Sequence, residues 1–216
     1  MNNTNQTLAW VSGGAILLNA LGGLAQDWPQ WRGANRDAKA SGFTAPATWP
    51  KELTQKWKVT VGLGDAAPAL VGNKLFVFAR QGDDEINLCL DAATGKELWS
   101  NPDNGVQFNT PVLKNGALFG LSAKDLLFCI TVQDGKTAWT APSGGRRGFG
   151  SIVDAGSVLM ALTPASQLLV FEPSDKEYKQ LASIKVADKE TYAYPVLAGN
   201  RLFVKDQDSL TLWTID

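Results

Sequence analysis

An internal repeat of about 40 residues constrains the fold of this chain more than any other feature. Each copy has an apolar run, a turn containing Gly or Asn, and a second apolar run, which is typical of a β-hairpin. The copies begin at residues 68, 111, 151 and 195. A third apolar run follows each hairpin, at 86–91, 126–131, 167–172 and 209–214. Four short strands per repeat of this length are the pattern of a propeller blade, so we predict an all-β β-propeller of about four four-stranded antiparallel blades.

In the first two repeats the fourth strand is introduced by a turn and carries a tryptophan. The segments are DAATGKELW at 91–99 and, less regularly, TVQDGKTAW at 131–139. A glycine tolerates the positive φ of a tight turn, and an Asp or Thr side chain accepts backbone N–H groups within it. Because these residues recur at the repeat period, we predict that they fasten neighbouring blades. The predicted structural residues are Asp91, Thr94, Gly95, Trp99, Gly135 and Trp139.

The first tryptophan of this series precedes the first hairpin. Trp57 lies 42 residues before Trp99, whereas the last repeat has three strand-like runs and no fourth. We therefore predict that the N-terminal strand around Trp57 becomes the fourth strand of the last blade, which closes the ring and hides its edges. The alternative is a homodimer of half-rings, in which each chain gives its Trp57 strand to the other.

The N-terminal stretch predicts export from the cytoplasm. The first 26 residues carry no charged side chain and are largely apolar, although the usual Lys or Arg at the start is missing. We expect a signal peptide at 1–25, an entry segment at 26–54 and the propeller domain at 55–216. An uncleaved anchor is the alternative. The mature protein is then periplasmic or secreted, with no stable membrane insertion after signal cleavage.

Composition removes several classes of function. The chain has no histidine, which excludes Ser-His-Asp and Cys-His catalysis and the usual zinc sites. Its net charge of -1 provides no field that would gather nucleic acid. Cys89 and Cys129 occupy the same place in the third strand of consecutive repeats, so we predict two buried small apolar residues, with a disulfide as the alternative.

The segments CLDAATGKELW and CITVQDGKTAW resemble the tandem repeat of the pyrroloquinoline quinone (PQQ) family. The opening DWPQWRGANRD at 27–37 is similar to the entry segment of exported bacterial PQQ-like propellers. The resemblance covers roughly residues 27–216 and implies the propeller fold. The family includes quinoprotein alcohol dehydrogenases and the propeller lipoprotein of the outer-membrane barrel assembly machinery, so fold alone leaves the activity open.

The chain departs from this family in three ways, and these departures decide our functional prediction. The third repeat lacks both Thr-Gly and tryptophan, the two cysteines are not vicinal, and four blades are counted where the family usually has about eight. We favour a non-enzymatic binding or assembly scaffold without a cofactor, which holds a protein partner or small ligand on one propeller face. The alternative is a quinoprotein-type oxidoreductase using PQQ with calcium, or a shortened remnant of one.

Candidate ligand-binding residues are few. Arg146 and Arg147, in the loop GGRRGFG, have the chemistry to grip a carboxylate or phosphate, with a flexible connection as the alternative. The acidic stretches at 82–85 and 205–209 fit solvated hairpin turns better than calcium loops, so no metal site is predicted. The tryptophans of DWPQWRG at 27–33 are expected to brace the propeller, with an exposed aromatic patch as the alternative.

Overall fold

The computed structural model describes residues 27–40, 42–106, 109–145 and 149–215. Within these ranges the chain is all-β, and its strands form four antiparallel sheets. The predicted signal peptide at 1–25 lies outside the described residues. The described part of the chain contains no helix with the length and hydropathy of a membrane span.

The four sheets follow one another along the chain and are called blades 1 to 4. Blade 1 contains β1 (Ala69–Val71), β2 (Lys74–Gln81), β3 (Asp84–Asp91) and β4 (Glu97–Asn101). Blade 2 contains β5 (Val112–Lys114), β6 (Ala117–Leu121), β7 (Leu126–Thr131) and β8 (Thr137–Pro142). Blade 3 contains β9 (Ser151–Asp154), β10 (Leu159–Leu162), β11 (Gln167–Phe171) and β12 (Gln180–Lys185). Blade 4 contains β13 (Val196–Ala198), β14 (Arg201–Lys205) and β15 (Leu210–Thr214).

Each blade is a meander in which consecutive strands are hydrogen-bonded neighbours. The prediction of an all-β fold built from about four antiparallel blades is confirmed, with four strands in each of blades 1 to 3. Blade 4 has three strands among the described residues. The segment around Trp57 lies against blade 1 and contributes no strand to blade 4 within the described ranges, so a closed ring is not shown. Closure by that segment stays a prediction.

Tight turns set the register of the inner hairpins. In blade 2, Lys114 pairs with Ala117, which leaves Asn115 and Gly116 as a two-residue loop. Both residues have positive φ, at 51° and 77°, as a type I′ hairpin turn requires. An Asn-Gly pair adopts this geometry at low cost, so the repeat's turn chemistry and its strand pairing agree.

The core lies between blades, because alternate residues of each strand face opposite neighbours. One buried cluster joins blades 1 and 2, a second joins blades 2 and 3, and a third joins blades 3 and 4. Phe76, Phe119 and Phe171 are among the fully buried aromatic side chains in these clusters. Each blade is therefore stabilised mainly by its sequence neighbours, as in other repeat proteins.

The entry segment braces the first blade at its inner edge. Trp28 and Leu70 exchange backbone hydrogen bonds of 2.8 and 2.9 Å, which adds a short bridge beside β1. The carboxylate of Asp27 accepts the amide of Gly72 at 2.8 Å. Trp28 is half-buried, but Trp31 is 62% exposed, so only the first tryptophan braces the fold.

Candidate functional site

The Asp-Thr-Gly turn of blade 1 is saturated by its own hydrogen bonds. Asp91 Oδ1 accepts the amides of Ala93 and Thr94 at 3.1 and 2.8 Å and the Thr94 hydroxyl at 2.8 Å. Its Oδ2 accepts Asn73 Nδ2 at 2.5 Å. These bonds, that of the Thr94 hydroxyl foremost, hold the pKa of Asp91 below its ordinary value. The carboxylate is committed to the turn and has little capacity left for a substrate.

A tryptophan from the preceding segment packs on the glycine of this turn. Gly95 has a φ of 72°, and Trp57 Cε3 lies 2.7 Å from the position that a Cβ on this residue would occupy. The indole Nε1 of Trp57 donates to the carbonyl of Ala92 at 3.2 Å. Glycine therefore serves the turn in two ways, since it allows the backbone conformation and leaves room for the ring.

The same arrangement recurs one blade later. Trp99 Nε1 donates to the carbonyl of Val132 at 3.0 Å, and its ring atom Cδ2 lies 2.5 Å from the Cβ position of Gly135. The Thr131 hydroxyl bonds to Asp134, which lowers the pKa of this carboxyl to about 2. Trp99 thus joins blade 1 to the turn of blade 2.

Blade 3 keeps the contact with a different set of residues. Trp139 Nε1 donates to the carbonyl of Ser174 at 2.8 Å, although no Thr-Gly turn is present there. The ring lies 5.3 Å from that of Tyr178 and meets Phe171 edge-on at 6.3 Å between centroids. Tyr178 and Phe171 therefore provide the surface on which this tryptophan packs. The sequence pattern missed Tyr178 because it matches no repeat position.

The cysteines are both free and buried, each in the third strand of its own blade. Burial raises the pKa of Cys89 to about 11 and that of Cys129 to about 12. Both thiols are therefore protonated at neutral pH and unsuited to nucleophilic or redox chemistry. Their interior positions agree with the prediction of two small buried apolar residues.

A cleft of about 500 Å³ lies between the entry segment and the inner strands of blades 2 and 3. Its polar lining includes Gln30, Arg36 and Asp154, and Arg36 Nε donates to Gln30 Oε1 at 3.0 Å. Lys114 lies beside it and joins the two blades, with Nζ 2.5 Å from both Asp154 Oδ1 and the Gly156 carbonyl. No sequence signal marked this cleft, because its walls come from three separate parts of the chain.

The predicted ligand-gripping pair, Arg146 and Arg147, lies outside the described residues, so that role stays a prediction. A calcium ion needs several carboxylate or carbonyl oxygens around one point. Within 27–40, 42–106, 109–145 and 149–215, no three His, Cys, Asp or Glu residues converge in a way that could hold a metal ion.

Comparisons with known proteins place these repeats in one family. The family model described as outer membrane protein assembly factor BamB matches residues 47–177. No curated protein gives a significant sequence match.

Solved structures give fold matches at low sequence identity. BamB from Moraxella catarrhalis superposes with a TM-score of 0.55 at 13% identity, covering 66% of this chain and 43% of that chain. The computationally designed Ika8 protein gives a TM-score of 0.54 at 13% identity, covering 68% and 45%. The designed Ika4 protein gives 0.57 at 12% identity, covering 76% of this chain and 100% of that chain.

The chain spans less than half the length of the BamB and Ika8 chains. At such low identity the structural matches establish the fold alone. The family model, which matches more than half of the chain, establishes the relationship. The repeats of this chain and its antiparallel blades agree with that match. The chain therefore belongs to the BamB-like family of PQQ-repeat β-propeller proteins.

Proposed function

We propose that this protein is an exported, non-enzymatic scaffold that binds protein segments during assembly outside the cytoplasm. The proposal rests mainly on the contacts of the repeat motif. Its carboxylates and indole N–H groups form hydrogen bonds within and between blades, and its turn glycines contact tryptophan rings. The motif that recurs most regularly in the sequence thus joins neighbouring blades, and its described polar groups are engaged in those contacts. The family model's description as an assembly factor supports the same class of role.

The entry segment provides the surface that we assign to a protein partner. Three of its aromatic side chains, Trp31, Phe43 and Trp49, are each more than 60% exposed. Contiguous exposed apolar patches mark interaction sites, and Trp and Tyr are enriched where binding energy is concentrated. The rings of Phe43 and Trp49 lie 6.3 Å apart between centroids and form such a patch. The neighbouring cleft adds the guanidinium of Arg36 and the carboxylate of Asp154 for orienting a polar backbone.

The first test separates a scaffold from an oxidoreductase. Purified protein is mixed with PQQ and calcium, the absorbance spectrum of bound quinone is followed, and dye-linked alcohol oxidation is measured. We expect no bound quinone spectrum and no turnover. A stoichiometric quinone spectrum with alcohol-dependent dye reduction would overturn the non-enzymatic assignment.

The second test asks whether the exposed aromatics bind protein. Partners are captured from the exported fraction with the wild-type chain and with the double variant Trp31→Ala, Trp49→Ala. The matched control is Leu98→Ala, which removes an exposed apolar side chain from the outer strand β4. We expect the double variant to lose the partners that the wild type and the control retain. Equal capture by all three proteins would reject the entry segment as the binding surface.

A further inference from the structure

The cleft between the entry segment and the inner strands of blades 2 and 3 has a charged group on each wall. Arg36 belongs to the entry-segment wall, and Asp154, the last residue of β9, belongs to the blade wall. Pro29, Ala34 and Val112 add apolar surface to the lining. The volume of about 500 Å³ falls within the range of about 300–1,000 Å³ that is typical of small-ligand sites. The cleft therefore has the size and the mixed lining of a binding site.

The guanidinium of Arg36 is held by its neighbours in the entry segment. Its Nε donates to Gln30 Oε1 at 3.0 Å, and Gln30 Nε2 donates to the carbonyl of Ala34 at 2.9 Å. Within the part of the chain that the structure describes, the two terminal nitrogens of Arg36 form no hydrogen bond or ion pair. A guanidinium fixed through Nε keeps this pair of nitrogens for a carboxylate, which it can bind through two parallel hydrogen bonds.

The backbone that carries Arg36 is strained. Arg36 has a φ of 57°, and Arg32 and Ala38 in the same loop have φ of 64° and 60°. The amide of Arg36 donates to the Gly33 carbonyl at 3.1 Å, and that of Ala38 donates to the Arg32 carbonyl at 2.9 Å, which holds the loop in this form. The other described non-glycine residues with positive φ lie in hairpin turns between strands. Strain of this kind clusters at ligand sites, and here it lies at the residue that lines the cleft.

The carboxylate of Asp154 has one oxygen engaged and one available. Its Oδ1 accepts Lys114 Nζ at 2.5 Å and the amide of Gly156 at 2.9 Å. Its Oδ2 accepts no hydrogen bond from the described residues, and the side chain is 37% exposed. Because Lys114 balances this carboxylate, Arg36 leaves the cleft with one positive charge in excess. The arrangement favours an anionic ligand that also carries a hydrogen-bond donor.

We propose that the cleft binds a carboxylate with an amide N–H on the adjacent carbon. The carboxylate lies on the Arg36 guanidinium, and the N–H donates to Asp154 Oδ2. This group occurs at the C-terminus of a peptide and in N-acylated amino acids, and capture of a C-terminal carboxylate is a recurring mode of peptide recognition. The inference deepens the proposed function, and it rests on that function where it assigns the carboxylate to a protein partner.

Four probes test the proposal on the wild-type chain by ligand-observed NMR titration. They are acetyl-tetraalanine as the free acid, the same peptide as its C-terminal amide, N-acetylalanine, and O-acetyllactate, in which an ester oxygen replaces the N–H. We expect both N-acylated free acids to bind. The peptide amide should bind about tenfold more weakly than its acid, and O-acetyllactate about tenfold more weakly than N-acetylalanine, because each lacks a hydrogen bond to a charged group.

The probes also distinguish the source of the ligand. Tighter binding of acetyl-tetraalanine assigns the cleft to a peptide C-terminus, and tighter binding of N-acetylalanine assigns it to a small acylated amino acid. Equal affinity of the peptide acid and its amide would overturn the proposal, as would the absence of saturable binding by both N-acylated acids. Equal affinity of N-acetylalanine and O-acetyllactate would overturn the role of Asp154.

A pair of arginine variants tests whether the position of the charge matters. Arg36→Gln removes the guanidinium from the cleft. Arg32→Gln is the matched control, because Arg32 lies in the same loop with a similar φ and its guanidinium lies 5.4 Å from the Trp31 ring. We expect Arg36→Gln to weaken binding of both N-acylated acids about tenfold and to abolish the preference for the peptide acid over its amide, while Arg32→Gln retains both. Equal weakening in the two variants, each shown to be folded by circular dichroism, would assign the effect to net charge and overturn the site.

The site and the proposed function can fail separately. If neither N-acylated acid binds while the Trp31→Ala, Trp49→Ala variant loses its partners, the carboxylate site is wrong and the scaffold assignment stands. If the acids bind through Arg36 while that double variant keeps its partners, the carboxylate site stands and the aromatic surface is wrong.

Discussion

Replacing Gly135 by alanine tests the packing of a tryptophan on a repeat turn. Gly135 has a φ of 72°, and an added Cβ would lie 2.5 Å from Cδ2 of Trp99. The backbone does not allow the new methyl group to turn away, so the ring has to move. Trp99 is 8% exposed and bonded to the carbonyl of Val132, so moving the ring disturbs the core between blades 1 and 2.

The expected cost has two parts. An alanine in the left-handed region costs about 1–2 kcal/mol relative to glycine. Displacing the Trp99 ring loses part of the roughly 3–5 kcal/mol that truncation of a buried tryptophan to alanine costs. We therefore expect Gly135→Ala to lower the free energy of unfolding by about 3 kcal/mol, of which about 1–2 kcal/mol is backbone strain.

A double-mutant cycle separates the two parts. In the Trp99→Ala background the clash is absent, so Gly135→Ala should cost only the backbone strain of about 1–2 kcal/mol. Gly116→Ala is the matched control, because Gly116 has a φ of 77° and nothing within 4 Å of its Cβ position. Its cost should be the same in both backgrounds. Urea unfolding followed by circular dichroism gives each free energy.

One outcome would refute the packing argument. If Gly135→Ala costs the same with and without the Trp99 ring, then the ring does not press on that turn. The glycine would then be required by backbone conformation alone, as we expect for Gly116. The contact between blades 1 and 2 would then have to be assigned to the hydrogen bond from Trp99 Nε1 to the Val132 carbonyl, which Trp99→Phe would remove.

Three further predictions concern the described side chains. Ellman's reagent should detect no thiol in the native protein and both after unfolding, because Cys89 and Cys129 are fully buried and burial raises their pKa to about 11 and about 12; labelling of the native protein would contradict this. The Thr131 hydroxyl lowers the pKa of Asp134 from 3.8 to about 2, so the stability that this carboxylate adds is complete above about pH 4 and is lost as the pH falls towards 2. Asp134→Asn should therefore flatten the acid limb of a plot of melting temperature against pH. Lys114→Met should lower the free energy of unfolding by about 1 kcal/mol, because Lys114 is only 15% exposed and joins blade 2 to the partly exposed carboxylate of Asp154 in blade 3. An unchanged urea midpoint would contradict a stabilising role for this contact.

The sequence determined the repeating part of this protein. The apolar runs and the turns containing Gly or Asn determined strand order and hairpin register, because both depend on residues a few positions apart. Trp57, Trp99 and Trp139 could be assigned to one series because they recur at spacings of 42 and 40 residues. Each of them packs on the blade that follows it in sequence. The period of about 40 residues therefore predicted contacts between neighbouring parts of the chain. A single motif would not have predicted them.

The tertiary structure decided what does not repeat. Tyr178 packs against Trp139 where the turn motif is missing, and this contact depends on the tertiary structure because Tyr178 matches no repeat position. The cleft beside Arg36 combines the entry segment with two blades, so no local pattern encodes it. The pairing of neighbouring strands can be predicted from residue spacing, because it involves residues close together in the sequence. The surfaces available for binding depend on which distant segments come into contact.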